Sequence, residues 1–191
     1  MKFALISVHD KTGIIDFASE LVKFEFEIIA TNGTFNTLKK GGVPSIKHVS
    51  DITEFPEMLD GRLKTEHPKL IGAILALRNN TKHMQELAQL GIRPIDLVVC
   101  NLYPFFHSGI KLDLNTFLEQ IDIGGPNMIR AAAKNFVNIT IIVNSNRYSE
   151  VLREYKEKGE VSIKTKKKLA IEAFEETARY DSEIYRFLES I

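Results

Sequence analysis

The sequence is poor in cysteine, in net charge and in long apolar runs, and each shortage removes a class of function. Cys100 is the only cysteine. No internal disulfide or multi-cysteine zinc site can form from it, which fits a reducing cytoplasm. The 25 Lys and Arg residues are balanced by 25 Asp and Glu, so no long-range field draws the molecule to nucleic acid or an anionic membrane. Any anion must be held locally. The longest apolar run, Leu70 to Leu77, falls far short of the roughly 20 residues that span a bilayer. The opening MKFALISVHD lacks the apolar segment and small-residue cleavage site of a secretory signal. No Gly, Ser or Pro-rich linker, internal repeat or low-complexity tract is present. What is present is 191 residues, 44% hydrophobic and 26% charged, a globular composition long enough for one domain with a sizeable core.

Short β-rich runs alternate with amphipathic stretches, the signature of βαβ units around a mainly parallel, open twisted sheet. The pattern predicts strands over Lys2 to Ser7, Glu27 to Thr31, Leu70 to Leu77, Ile95 to Asn101 and Asn138 to Val143. Helical spacing or helix starts cover Thr12 to Lys23, Thr34 to Lys40, Thr81 to Leu90 and Leu114 to Gln120. After a sheet core over 1–145, a helical extension over 146–191 turns near Gly159. Its second run carries Leu169, Ala173, Phe174, Ala178, Ile184 and Leu188, and is expected to lie on the sheet domain or on a partner. Lys164 to Lys168 reads most simply as a solvated face.

In an open parallel sheet, ligands sit at the carboxyl ends of the strands. The polar clusters that follow the strands are therefore the places for a site. Thr31-Asn32-Gly33-Thr34 combines a glycine, hydroxyls and a helix start, a combination suited to phosphate, although a plain N-cap explains it too. Lys11 and Thr12 would reach the same anion from the neighbouring loop, unless Asp10 or Thr12 only caps a helix and Lys11 points into water. Gly61 to Pro68 packs two cations, a hydroxyl and an imidazole into a loop, which is equally readable as a solvated charged loop with a structural His67. Asn101 and Tyr103 stand before Pro104, where regular pairing ends, while Tyr103, Phe105 and Phe106 are also ordinary core material.

Gln120 to Asn135 is the most informative stretch. Gly124-Gly125-Pro126 sets up a helix start, and Ala131 to Ala133 extend it. The glycine N–H groups would face developing negative charge, with Asp122 before them and Lys134 at the far end of a short helix. The plainer alternative is a turn, with Lys134 stabilised at the helix C-terminus.

Taken together, SVHDKTG, TNGT, FPEMLDGRLKTEHP, CNLYPF, QIDIGGPNMIRAAAKN and KLAIEAFEETARYD resemble the IMP cyclohydrolase family, the N-terminal domain of a bifunctional purine biosynthesis enzyme. They occur in family order from residue 7 to 181. The resemblance implies a three-layer α/β fold of the methylglyoxal-synthase-like type and a cytoplasmic homodimer with no metal or organic cofactor. The implied reaction closes 5-formamidoimidazole-4-carboxamide ribonucleotide (FAICAR) to IMP with loss of water. It also implies a stand-alone cyclohydrolase without the formyltransferase domain, dependent on another protein for its substrate. By family match, His9, Asp10, Lys11, Thr31, Asn32, Gly33 and Thr34 meet the phosphate and ribose, and Arg62, Lys64 and Thr65 line the same pocket. Cys100, Asn101, Asp122 and Ile123 border the base, with Gly124 and Gly125 beside them, and the catalytic group is Lys64, Tyr103, Asp122 and Lys134.

Three positions depart from the family pattern: His9 for the usual Ser, Asn32 for Gly and Glu66 for an apolar residue. Asn tolerates left-handed backbone, so the anion-binding turn survives that change. Two other readings belong beside this one. A phosphate lyase of the same fold would not need Tyr103 and Lys134. A non-catalytic nucleotide sensor would not need Lys64, Asp122 and Lys134.

Overall fold

A computed structural model describes residues 1–103 and 113–191, with the backbone alone at Asp60. Pro104, Phe105 and Phe106 lie outside the described residues. Five strands, β1 (Lys2–Val8), β2 (Phe26–Ala30), β3 (Ile46–His48), β4 (Leu97–Asn101) and β5 (Thr140–Ile142), form one all-parallel sheet in the order β3-β2-β1-β4-β5. The strands are apolar on both faces, as a sheet covered on both sides requires: all of β2 and β5 is buried, with Ala4, Leu5 and Ile6 fully enclosed in β1. Helix α1 (Ile14–Lys23) packs against α2 (Asn32–Lys40) and α8 (Tyr148–Lys158), while α7 (Gly124–Lys134) packs against α4 (Pro68–Leu75) and α9 (Ile163–Glu189). The expected α/β class and open parallel sheet are what the chain adopts.

The strand order has a functional consequence. Chain connections leave β1 toward β2 on one side and reach β4 on the other, so the order reverses between β1 and β4. A crevice opens at such a switch point, outside the carboxyl ends of the strands.

Two elements differ from expectation. Leu70 to Leu77 is no strand: α4 occupies Pro68–Leu75, with Pro68 in its first turn and His67 Nδ1 accepting the Lys69 N–H at 3.2 Å. A short unbroken apolar run is compatible with either element, and here the i, i+3, i+4 set Leu70, Ala73 and Ile74 is the buried face. The sheet instead takes its edge from β3, three residues long and too short to show a period, followed at once by α3 (Val49–Thr53). In the C-terminal extension, α9 lies on α7 and β5. Its buried face is Thr165, Leu169, Ala170, Ala173, Thr177 and Tyr180, whereas Phe174, Ala178 and Leu188 face outward. The remaining helices, α5 (Thr81–Gln89) and α6 (Leu114–Glu119), begin at Asn80 and Asp113, each of which accepts a first-turn N–H.

Candidate active site

The carboxyl ends of β1, β2 and β4 are tied into one unit by short polar contacts. Asn101 ends β4, and its Oδ1 accepts the N–H groups of His9 (2.6 Å) and Asp10 (3.0 Å), while its Nδ2 donates to the Asp10 carbonyl at 2.9 Å. Asn101, expected beside the base, thus braces the β1 loop across the switch point. Thr34 is similarly committed: its hydroxyl accepts the Val8 N–H at 3.1 Å and faces the Val8 carbonyl at 3.3 Å, in a fully enclosed position. It fixes the start of α2 against β1 instead of offering its hydroxyl to phosphate. Ser7 and Thr31 share a hydroxyl contact of 2.9 Å one level below.

These ties leave a corner whose chemistry suits an anion. Helix α2 starts at Asn32 with no side chain capping it, so its first-turn N–H groups point outward with the positive end of the helix dipole. Lys11 Nζ donates to the carbonyls of Val8 (3.3 Å) and His9 (3.2 Å), and lies 3.9 Å from the point where a Cβ would stand on Gly33. Asp10 takes up the Thr12 hydroxyl and N–H, and these bonds hold its carboxyl below the usual range. Gly13, not Asp10 or Thr12, stands at the N-cap of α1. Asn32 Nδ2 bonds Glu57, beside a cavity of about 10 Å³ that Thr31, Asn32, Glu57 and Lys64 share.

A second, wider cleft of about 880 Å³ opens over β1, β4 and the residues after β5, lined by His9, Asp10, Lys11, Asn101, Leu102 and Arg147 among others. His9 packs its ring on Tyr103, with centroids 3.9 Å apart. Burial, then the nearby Lys11 ammonium, lowers the His9 imidazole below its ordinary value against the pull of Asp10.

The N-terminus of α7 closes the far side. Gly125 N–H donates to Asp122 Oδ1 at 3.0 Å, and a Cβ on Gly125 would overlap Asp122 Oδ2 and stand 2.7 Å from Leu102 Cδ2. Only glycine permits that approach. Of the expected pair of glycine donors, Gly125 is therefore spent on Asp122, while Gly124 N–H has no hydrogen-bond partner among the described residues. Asp122 is held from behind as well, its own N–H donated to the hydroxyl of Tyr180 at 2.7 Å. Cys100 lies under this corner. Burial and the Asp122 carboxylate push its thiol far up and Lys64 opposes them, so the cysteine stays protonated and both charged groups lie within electrostatic reach of it.

The Gly61 to Pro68 segment is more than a solvated loop. Arg62 is exposed and pairs with Glu119, Lys64 is half-buried and lines the small cavity beside Asn32, and Thr65 is 0% exposed, its hydroxyl without a hydrogen-bond partner among the described residues. A buried orphan hydroxyl costs stability unless a ligand completes it. His67 is structural, as the cap of α4. Sequence reasoning passed over Tyr180 and Leu102, which act only through contacts between distant segments. Ile123 is 62% exposed at the start of α7.

One expectation is not met within a single chain. Lys134 is the last residue of the 11-residue α7 and is exposed. At 1.5 Å per residue the helix carries it about 15 Å along the axis from Gly124. Asp122 and Lys134 therefore do not flank one pocket in the monomer. Among the described residues, no group of three or more His, Cys, Asp or Glu converges to hold a metal.

Comparison with known proteins agrees with this fold. The MGS-like domain profile matches residues 13–127, and the AICARFT/IMPCHase bienzyme profile matches 132–191. The chain belongs to the MGS-like domain family. It is 53% identical over 182 residues to the bifunctional purine biosynthesis protein PurH of Persephonella marina, covering 95% of this chain and 35% of that protein. The PurH of Ruminiclostridium cellulolyticum is 50% identical over 190 residues, covering 98% of this chain and 37% of its own length. The chain thus spans little more than a third of the curated relatives it matches. The crystal structure of ForH superposes with a TM-score of 0.87 at 31% identity, covering 96% of this chain and 97% of that one. Within this MGS-like chain, the bienzyme match covers only the last turn of α7 but all of β5, α8 and α9, and α9 carries the Tyr180 that braces Asp122.

Proposed function

We propose that this chain is a cytoplasmic IMP cyclohydrolase that closes FAICAR to IMP. The observation that carries the reading is the meeting of five separate segments at the β1/β4 switch point. An anion corner at Lys11 and the start of α2 lies on one side, and Asp122 with the Gly124 N–H, unpaired among the described residues, lies on the other. The purine-biosynthesis relatives support the same role.

The substrate carries both reacting groups, so the protein has to hold the ring-closing conformer and manage protons and charge. The carboxamide nitrogen attacks the formyl carbon, a C–N bond forms, and the formyl oxygen takes negative charge. Two protons must reach that oxygen before it leaves as water, one from the attacking amide and one from the former formamide nitrogen. Asp122 Oδ2 takes the amide proton, while Oδ1 stays on Gly125 N–H. Gly124 N–H at the positive end of α7 and Lys64 stabilise the oxyanion. The Tyr103 hydroxyl donates one proton to the departing oxygen and is restored by the former formamide N–H, the protonated Asp122 returns the amide proton as the second, and Thr65 Oγ1 gains its missing partner from the bound ring.

Lys134 enters this reading only through a second copy of the chain. Its place at the exposed end of α7 lets it reach the site of a homodimer partner, and the outward-facing Ile123, Ile171 and Phe174 supply apolar surface for that contact.

The test is to mix the purified protein with FAICAR and follow the ultraviolet change to IMP, with triose phosphate as the control for a lyase. Conversion of FAICAR alone supports the proposal; methylglyoxal, or IMP binding without any conversion, refutes it. Mixing inactive Asp122→Asn with inactive Lys134→Ala tests the shared site. Exchange into heterodimers with one intact site should restore up to about a quarter of the wild-type rate.

A further inference from the structure

Glu66 is a charged residue in the middle of the candidate site, and the mechanism above gives it no task. Its Oε2 accepts two successive backbone N–H groups, from Lys64 at 3.1 Å and from Thr65 at 2.9 Å. Its Oε1 packs on the first residue of α7: a Cβ on Gly124 would stand 2.8 Å from Oε1 and overlap Thr65 Oγ1. One carboxylate therefore joins the Lys64–Thr65 turn to the helix end that receives the developing charge. With its N–H held this way, Thr65 is enclosed, and its hydroxyl, without a partner among the described residues, lies against Gly124.

We propose that Glu66 is a positioning residue that clamps the Lys64–Thr65 turn onto the N-terminus of α7, so that the Thr65 hydroxyl and the Lys64 ammonium meet the reacting end of the substrate. The clamp works through geometry, not charge. Two acceptor bonds set the turn, and a negative charge beside a forming oxyanion would by itself slow the reaction. A glutamine retains a carbonyl oxygen able to accept both N–H groups, whereas leucine accepts neither.

This inference rests on the cyclohydrolase reading, so its test has one arm that needs no substrate. Amide hydrogen exchange at Lys64 and Thr65 is measured in the wild type, Glu66→Gln and Glu66→Leu, and FAICAR closure is measured in all three. Glu66→Leu should expose both amides and lower kcat by about 10- to 100-fold, the cost of misplacing reacting groups by an ångström. KM should change by less than about threefold, since the phosphate corner is untouched. Glu66→Gln should keep both amides protected and restore most of the turnover.

Glu66→Gln falling as far as Glu66→Leu would overturn the clamp in favour of a charge-dependent role. Glu66→Leu working as fast as wild type, or protected amides in that variant, would overturn it outright. If Glu66→Leu does not fold, exchange in Glu66→Gln decides: protected amides support the clamp and exposed ones refute it. A wild type that leaves FAICAR unchanged would sink the functional reading, and the exchange arm would still judge the clamp.

Discussion

Replacing Gly125 with alanine separates the stability of the fold from the chemistry of the corner. The added Cβ would stand 2.7 Å from Leu102 Cδ2 and overlap Asp122 Oδ2. Carbon atoms rest at roughly 3.5 to 4 Å, so the buried Leu102 methyl has to give by about 1 Å. Such overpacking costs about 1 to 3 kcal/mol. Alanine in place of glycine in a helix returns about 1 kcal/mol, leaving a net loss of about 0 to 2 kcal/mol. At this chain length each kcal/mol lowers Tm by about 2 to 4 °C, so the melting point should drop by at most about 8 °C and the fold should survive. The carboxylate fares worse. It is the free end of a side chain, so it swings aside and surrenders its bond to the Gly125 N–H. A shift of about 1 Å in a reacting group is worth about 100-fold in rate. Calorimetry combined with single-turnover FAICAR closure reads both quantities. A Gly125→Ala protein that keeps wild-type turnover would refute the role of this glycine and of the carboxylate it supports.

Tyr180→Phe removes the acceptor of the Asp122 N–H at the 1% exposed Tyr180, and the orphaned donor should cost about 1 to 3 kcal/mol. Calorimetry should find a lowered Tm together with reduced turnover, and no change in either would disprove the bracing role. Lys11→Met should raise KM for the nucleotide by about 10- to 100-fold, the worth of one charge-assisted hydrogen bond, and leave kcat nearly unchanged. Steady-state kinetics showing lost kcat at constant KM would contradict the phosphate assignment. Burial and Lys11 place the His9 imidazole below its ordinary 6.5, so the unfolded chain binds the proton first as the solution is acidified. The stability that His9 contributes is therefore present above that ordinary value and is lost as pH falls from it toward the lower folded value. Urea midpoints between neutrality and about pH 5 should decline less steeply in His9→Asn, and parallel slopes would argue against it.

Much of the scaffold was legible because its signals are local. The strands β1, β2, β4 and β5 are short apolar runs between turn-formers, and the helix starting at Gly124 is announced by Gly-Gly-Pro and an alanine run. The run at Leu70 misled because continuous burial erases the period that separates strand from helix. The proline in the first turn of α4 was the clue that favoured helix. In the site, the right loops were identifiable but the duties of single side chains were not. Thr34 and Asn101 carry groups suited to a ligand and spend them on backbone, a choice visible only once Val8, His9 and Asp10 are in place. Glu66 stood out in the sequence only as a charged residue where the family pattern has an apolar one, and the fold turns it back onto its own turn.

Taken by itself, the sequence determined the layer architecture and the set of loops from which a site had to be drawn, since apolar period, glycine and proline act over a few residues. The tertiary structure alone decided which groups meet. It set the strand reversal between β1 and β4, the approach of residues 64–66 to the start of α7, the brace from Tyr180, and the separation of Lys134 from Asp122. Those relations depend on distances between segments dozens of residues apart and on the rigid length of a helix, and no local pattern encodes either.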